Sequence, residues 1–359
     1  MTDRAVPDQD ISQRLQDRIQ VAVAAGTRLR LVGGDTKAFY GRQPLGEPLN
    51  LAGHRGIVSY EPTELVITAR AGTPLQRLEA TLARQGQMLP FEPPHFGAGT
   101  TLGGTIACNL SGPRRRYAGA ARDFVLGTRV LNGRGEILSF GGEVMKNVAG
   151  YDVSRLMTGA MGTLGLLLEI SLKVLPRPET ERTLGLEMSV DQALERLSQW
   201  SLRPLPISAS CYDGARLRVR LSGTTGAVQA ACEQLGGDSI EDGEAFWQAL
   251  REHRHPFFRE GTPLWRLSLA PDAAPAAIPG DWLYEWGGAQ RWLKTEAPAQ
   301  QVWEMARRCG GHATLFRSAG PRDQVFQPLP EPLMKVHSQL KLAFDPHRIF
   351  NPGRIYQGL

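Results

Sequence analysis

Near the start of the chain Ile11, Leu15, Ile19 and Val23 recur every fourth position, with Asp10 placed to cap a helix and Gly26 to end it. A short strand, 28–32, then runs into the turn Gly33-Gly34-Asp35-Thr36. Strand-like "GIVSY" and "ELVITARAG" follow, and Thr73 caps a helix over "PLQRLEATLARQG" with Pro74 at its first position and Gly86 beyond its end. "QMLPF" reads as a further strand. "FVLGTRVLNGRGEILSFGG" reads as two strands around an Asn132-Gly133 turn. An apolar strand closes this part at Pro176.

"LPRPETER" is the first break in the pattern, a charged hinge with Pro176 and Pro178. Beyond it, short strands ("RLRVRLSG", "LWRLSLA", "DWLYEWGG") alternate with amphipathic helices ("VDQALERLSQW", "APAQQVWEMARRCGG"). That texture predicts an α+β region with an antiparallel sheet. "PDAAPAAIPG" reads as a surface loop, and the turn-rich final stretch is apolar enough at its ends to dock on a neighbour. Three segments result: 1–178, 179–330 and 331–359.

Composition narrows the class. A chain of 359 residues accommodates two domains, and a net charge of +5 with only one tight basic run, Arg114-Arg115-Arg116, argues against nucleic acid. The four cysteines, Cys108, Cys211, Cys232 and Cys309, form no C-x-x-C pair, so zinc, iron–sulfur ligation and a disulfide framework lack support and no metal is expected. Unpaired cysteines and the lack of an apolar signal region point to the cytosol. No apolar run reaches the ~20 residues that span a bilayer, which leaves peripheral attachment to a membrane complex open.

Three glycine-rich loops, 33–36, 97–112 and 141–165, fall within the first segment. Taken singly, each is explained by a tight turn between strands. Together, with Thr36, Thr100, Thr101, Asn109, Ser111 and Thr163 among them, they supply backbone N–H groups and short donors spread along an extended groove. The first loop is neither G-x-G-x-x-G nor a Walker A sequence, so a Rossmann or P-loop site is not indicated. The pattern suits a large dinucleotide with a diphosphate and a flat ring.

"GGDTKAF", "EPPHFGAGTTLGGTIACNLSGP", "EVMKNVAGYDVSRLMTGAMGTLGLLLEISLKVLP" and the terminal "FDPHRIFNPG" resemble, in order and spacing, the flavin-binding motifs of the vanillyl-alcohol-oxidase-type (PCMH-type) FAD family. Within it, "RRYAGAARDFVLGTRVLNGRGEILSFGGEVMKNVAGYDVSRL" is similar to the FAD-binding subunits of bacterial glycolate oxidases. The resemblance is specific over 1–178; 179–330 is matched by position and length. It implies an α+β fold: an FAD-binding domain of two α+β subdomains, an α/β cap domain with an antiparallel sheet, and a C-terminal segment returning to the FAD domain. It places the pyrophosphate on Gly33, Gly34, Asp35 and Thr36. Pro94, Thr101, Gly103, Gly104, Asn109, Ser111 and Gly112 run along the flavin and ribityl chain, with Gly162, Thr163, Gly165 and Leu166 at the adenosine end. His95 and Cys108 are read as structural, so FAD is expected to bind noncovalently.

The resemblance further implies a complex that oxidises glycolate, with a catalytic FAD subunit and an iron–sulfur subunit as partners. Oxidising a 2-hydroxy acid needs a cation for the carboxylate and a base for the hydroxyl proton. Catalytic relatives carry an H-x-G-D-G-N strand in the second domain. Here the corresponding place reads "CGGHATLFRSAG", with His312 as candidate base and Arg317 as candidate anchor but without the Gly-Asp-Gly-Asn continuation. A surface histidine and a solvated arginine are therefore the preferred reading of these two. His253 and His255 read as an exposed helix end, Trp282, Trp286 and Trp292 as core, and Tyr151 and Asp152 as support for the flavin. Three functions stay open: an accessory or electron-carrying FAD subunit, which the missing strand favours; a self-sufficient FAD-dependent 2-hydroxy-acid dehydrogenase; and an assembly module that has lost its flavin.

Overall fold

The computed structural model describes residues 7–142, 151–259, 261–274, 278–320 and 322–359. "EVMKNVAG" of the third glycine loop and part of "PDAAPAAIPG" lie outside the described residues. The first helix, Ser12–Ala25, starts two residues beyond Asp10, whose Oδ1 accepts the N–H of Ser12 at 2.8 Å. It ends on Gly26 in the left-handed conformation, φ 65°, where a residue without Cβ is unstrained. Leu29–Val32 pairs in parallel with Glu47–Asn50.

A five-stranded antiparallel sheet forms the centre of the first segment, in the order Ile57–Glu61, Val66–Arg70, Leu166–Lys173, Val125–Leu131, Ile137–Gly141. Its middle strand, Leu166–Lys173, is apolar on both sides because both sides are covered. Leu166 and Leu168 pack with Leu15 and Ile19 of the first helix. Leu167, Ile170 and Leu172 pack with Leu75, Leu78, Leu102 and Ile106 of two others, Leu75–Ala83 and Leu102–Cys108.

Three local expectations are corrected. Thr73 does not cap the helix Leu75–Ala83; its hydroxyl binds the N–H and carbonyl of Gly56 across the sheet edge. The 125–141 hairpin closes through a five-residue loop rather than a two-residue Asn-Gly turn: Asn132 Oδ1 accepts from the N–H groups of Arg134 and Glu136, and Gly135 takes the positive φ. The second glycine loop contains an α-helix, Leu102–Cys108, capped by Thr101, whose Oγ1 accepts from Gly104 N at 3.3 Å. Glycines disfavour a helix interior, and burial of Leu102 and Ile106 overrides that preference here.

The cap is one eight-stranded antiparallel sheet in the order Asp238–Ser239, Thr180–Glu187, Arg216–Gly223, Ile207–Tyr212, Asp281–Glu285, Gln290–Lys294, Leu264–Ser268, His312–Arg317. Alternation along its strands sends one set of side chains under the helices Val190–Ser201, Thr225–Leu235 and Ala299–Arg308. The other set, including Cys211, Leu264, Leu283, Trp292 and Phe316, packs on Tyr40, Leu110 and Met161 of the first segment. The last helix, Glu331–Phe344, and the chain after it return to the first segment beside the strand Leu29–Val32, where Leu29 N donates to Ile349 O and Asn351 N to Leu29 O.

Candidate cofactor groove

A groove with a cavity of about 520 Å³ opens between the 33–36 turn, the helix Leu102–Cys108, the 157–165 stretch and the C-terminal segment. Gly33, Gly34, Asp35, Thr36, Thr101, Gly103, Gly104, Gly162 and Gly165 line it. The first turn is held against the second loop: Thr36 Oγ1 and Thr100 Oγ1 are 2.9 Å apart, and a Cβ on Gly34 would overlap the Gly99 carbonyl. Gly104 differs. A Cβ there would meet only Thr101 Oγ1, at 3.2 Å, and otherwise enter the groove.

The remaining residues that the resemblance assigns lie elsewhere. Pro94, Ser111 and Gly112 line a separate small cavity on the cap side. Asn109 ends the helix Leu102–Cys108 with φ 50°, and its Oδ1 is buried without a protein partner. Thr163 turns its hydroxyl to Ala160 O at 2.7 Å and its carbonyl to Lys341 Nζ. Leu166 is sealed in the core.

The groove also collects residues to which the sequence assigns no role. Arg30, Lys37, Arg322 and Arg354 face it, against Asp35 as the acidic lining residue. Arg30 Nη1 is 3.5 Å from Asp35 Oδ2, Arg322 donates to Ala38 O at 2.7 Å, and Arg354 donates to Arg42 O at 2.9 Å. Asn351 joins the wall, donating to Met161 O and accepting from Leu31 N. Leu31, Leu51, Ala71, Ala107, Met157 and Leu167 supply apolar surface. Burial pulls the Lys37 ammonium down to about 8, against the raising influence of Cys108 and Glu252. Cys108, expected to be structural, is part of the groove wall, and burial pushes its thiol up. His95 turns its ring away, Nε2 lying 2.9 Å from Glu79 Oε2. The motif "GGDTKAF" contains Lys37, the terminal motif contains Asn351, and Arg354 follows it directly, but nothing local tells which way they face.

These features fit FAD. A surplus of cations suits a diphosphate, and the Gly104 position leaves open groove beside the helix for a ligand to occupy.

Toward the cap the groove meets a wall of aromatic rings. Phe39 sits 5.4 Å from both Phe96 and Phe316, edge-on, and Trp292 lies 4.9 Å from Phe316. His253 is not an exposed helix end: it stacks on Phe258 at 3.9 Å, and its Nδ1 is buried without a partner. The small cavity behind this wall measures about 20 Å³, room for one water. Glu285 faces it, its Oε2 accepting from Trp292 Nε1 at 2.6 Å and Gln290 Nε2 at 3.0 Å; burial outweighs both bonds and lifts its carboxyl to about 7. Arg266 lines the same space, with Tyr40 Oη 3.4 Å away. His312 and Arg317 stand at the two ends of one strand, paired with Ser268 and Leu264. Five residues of strand put them roughly 17 Å apart along the backbone. His312 is exposed, and the Arg317 guanidinium covers the Phe39 ring at 4.4 Å.

Residues 11–141 match the family model described as an FAD binding domain. The chain is 53% identical over 350 residues to the glycolate oxidase subunit GlcE of Escherichia coli strain K12, covering 98% of this chain and 99% of that one. It is 32% identical over 202 residues to the glycolate oxidase subunit GlcD of Bacillus subtilis strain 168, covering 54% and 43%. Among solved structures, an alkyldihydroxyacetonephosphate synthase superposes with a TM-score of 0.67 over 95% of this chain and 74% of its own, at 16% identity, a likeness of fold. The chain belongs to the family of the glycolate oxidase subunit GlcE.

Proposed function

We propose that this chain is the FAD-binding subunit of a complex that oxidises glycolate to glyoxylate, and that it carries electrons beside a catalytic flavoprotein subunit and an iron–sulfur subunit. Bound FAD would supply a two-electron acceptor. The residues resembling the family's motifs would hold it: the 33–36 turn against the diphosphate, Thr101 to Gly104 and Asn109 along the ring and ribityl chain, and Gly162 and Gly165 toward the adenosine. Arg30, Arg322 and Arg354 would offset its charge. Of the described helices none is long and apolar enough to cross a membrane. A cytoplasmic place, at the membrane only through the complex, is part of the proposal.

The observation that carries the accessory role is the packing on the cap side. A space of about 20 Å³ does not admit a 2-hydroxy acid, and His312 and Arg317 do not converge. A second reading, a self-sufficient dehydrogenase, is favoured by one feature: Arg266, His253 and Glu285 all face that space. The anaerobic absorbance spectrum of the purified chain, recorded before and after glycolate, separates the two. A flavin spectrum that glycolate leaves unbleached is expected. Prompt bleaching would establish a complete active site in this chain, and absence of any flavin would remove both readings.

A further inference from the structure

Among the described residues two lysines are almost fully buried, and their charges are met very differently. Lys341, 1% exposed, spends its three N–H groups on Thr163 O, Asp345 Oδ2 and Phe350 O at 2.7, 2.7 and 2.8 Å. Lys37, 6% exposed, makes one long hydrogen bond, 3.3 Å to His95 O, and among the described residues no carboxylate stands within ion-pair distance of it. A buried ammonium with donors left over is costly unless something else completes its shell. Lys37 faces the groove, so a ligand can do so.

Its position indicates which part of the ligand. The other cations of the groove are committed: Arg30 to Asp35, and Arg322 and Arg354 to the carbonyls of the 37–42 stretch. Lys37 follows the 33–36 turn directly, but its side chain leaves the turn for the cap end of the groove. There Nζ lies 5.9 Å from the centre of the Phe96 ring, beside Cys108.

Resting on the reading above, in which the ring of FAD lies along Thr101–Gly104 toward the cap end of the groove, we propose that Lys37 sets its positive charge against the ring system of bound FAD and favours the reduced, negatively charged ring over the oxidised, neutral one. Uptake of two electrons and one proton leaves the ring with one net negative charge. In the complex the catalytic flavoprotein provides the electrons. A nearby cation in a site of low dielectric stabilises that charge, which makes this FAD a better electron acceptor from its partner.

The test uses the FAD-loaded chain and two variants, Lys37→Met, close in shape and uncharged, and Lys37→Arg, which keeps the charge. The midpoint potential of the bound FAD is measured by anaerobic dithionite titration against indicator dyes. Sulfite serves as a second probe: its sulfur lone pair bonds to the oxidised ring and leaves a negative charge there. Lys37→Met is expected to bind sulfite about tenfold more weakly, and its potential to fall by about 30 mV, the two-electron equivalent of that factor. Lys37→Arg is expected to restore most of both. Unchanged potential and sulfite affinity in Lys37→Met would overturn the proposal. So would a parallel loss of FAD and ADP affinity with the potential unchanged at saturating FAD, which would place Lys37 on the diphosphate. If the wild-type chain holds no FAD, the functional reading itself falls, and this inference with it.

Discussion

Lys341 Nζ lies 2.7 Å from Asp345 Oδ2, and the pair ties the end of the last helix to two other parts of the chain. Lys341 reaches back to Thr163 O beside the groove, while Asp345 accepts the N–H groups of Ile349 and Phe350. Phe350 in turn packs with Leu15, Ile19 and Leu29. Lys341 is the fully buried residue of the helix Glu331–Phe344, so this contact anchors the segment that brings Asn351 and Arg354 to the groove.

Breaking this pair from one side leaves a buried charge alone. Lys341→Met is expected to lose about 3–5 kcal/mol of stability. The double variant Lys341→Met/Asp345→Asn should recover part of that loss. Urea denaturation of the three proteins measures the coupling, and a double variant as unstable as the single one would show that the hydrogen bonds, not the charge, dominate.

Glu92 holds the cap to the first segment. Its carboxylate lies 2.8 Å from Arg220 Nη2 on a cap strand and 3.2 Å from Arg114 Nε. Burial alone would raise this carboxyl, but the two guanidinium groups prevail and hold it below the ordinary carboxylate range. Its contribution is therefore present above the unfolded value of about 4.3 and disappears as pH falls through the folded one. Glu92→Gln should melt at a lower temperature at pH 7 and lose part of the wild-type acid sensitivity. Differential scanning calorimetry from pH 7 down to pH 3 follows both.

Glu285 has the opposite sign. Its folded pKa of about 7 lies above the unfolded one, so the folded chain binds the extra proton and stability falls as pH rises from about 4.5 to 7. Glu285→Gln keeps an acceptor for Trp292 and Gln290 and carries no charge. Its melting temperature should stay level across that window and exceed the wild type at pH 8. Equal slopes for the two proteins would mean that Glu285 is ionised in the fold.

Gly104 and Gly34 separate ligand space from packing. Gly104→Leu projects into open groove and is expected to abolish retention of FAD with little change in melting temperature. Gly34→Ala meets the Gly99 backbone, so stability and FAD should be lost together. Retention of full FAD by Gly104→Leu would show that the ligand does not pass this helix.

What could be read from the chain alone was what depends on neighbours in sequence. The first helix and its Gly26 end, the strand texture beyond Pro178 and the gathering of glycines in one region follow from backbone freedom and the period of apolar residues. The motif resemblance added FAD and the family, because those motifs are themselves local strings. The tertiary structure decided what depends on residues far apart. The helix Leu102–Cys108 forms across two glycines because Leu102 and Ile106 are buried against the sheet. Thr73 gives up a cap for Gly56, and His253, just past the helix Gly243–Arg251, is enclosed by Phe258 and by Trp292 of a cap strand. His312 and Arg317, close in sequence, are held apart because a strand is extended. Lys37, Asn351 and Arg354, more than 300 residues from first to last, meet at one groove because the chain end docks there through a buried ion pair. Sequence spacing encodes backbone geometry; which charges share a cavity is settled only when the sheets close.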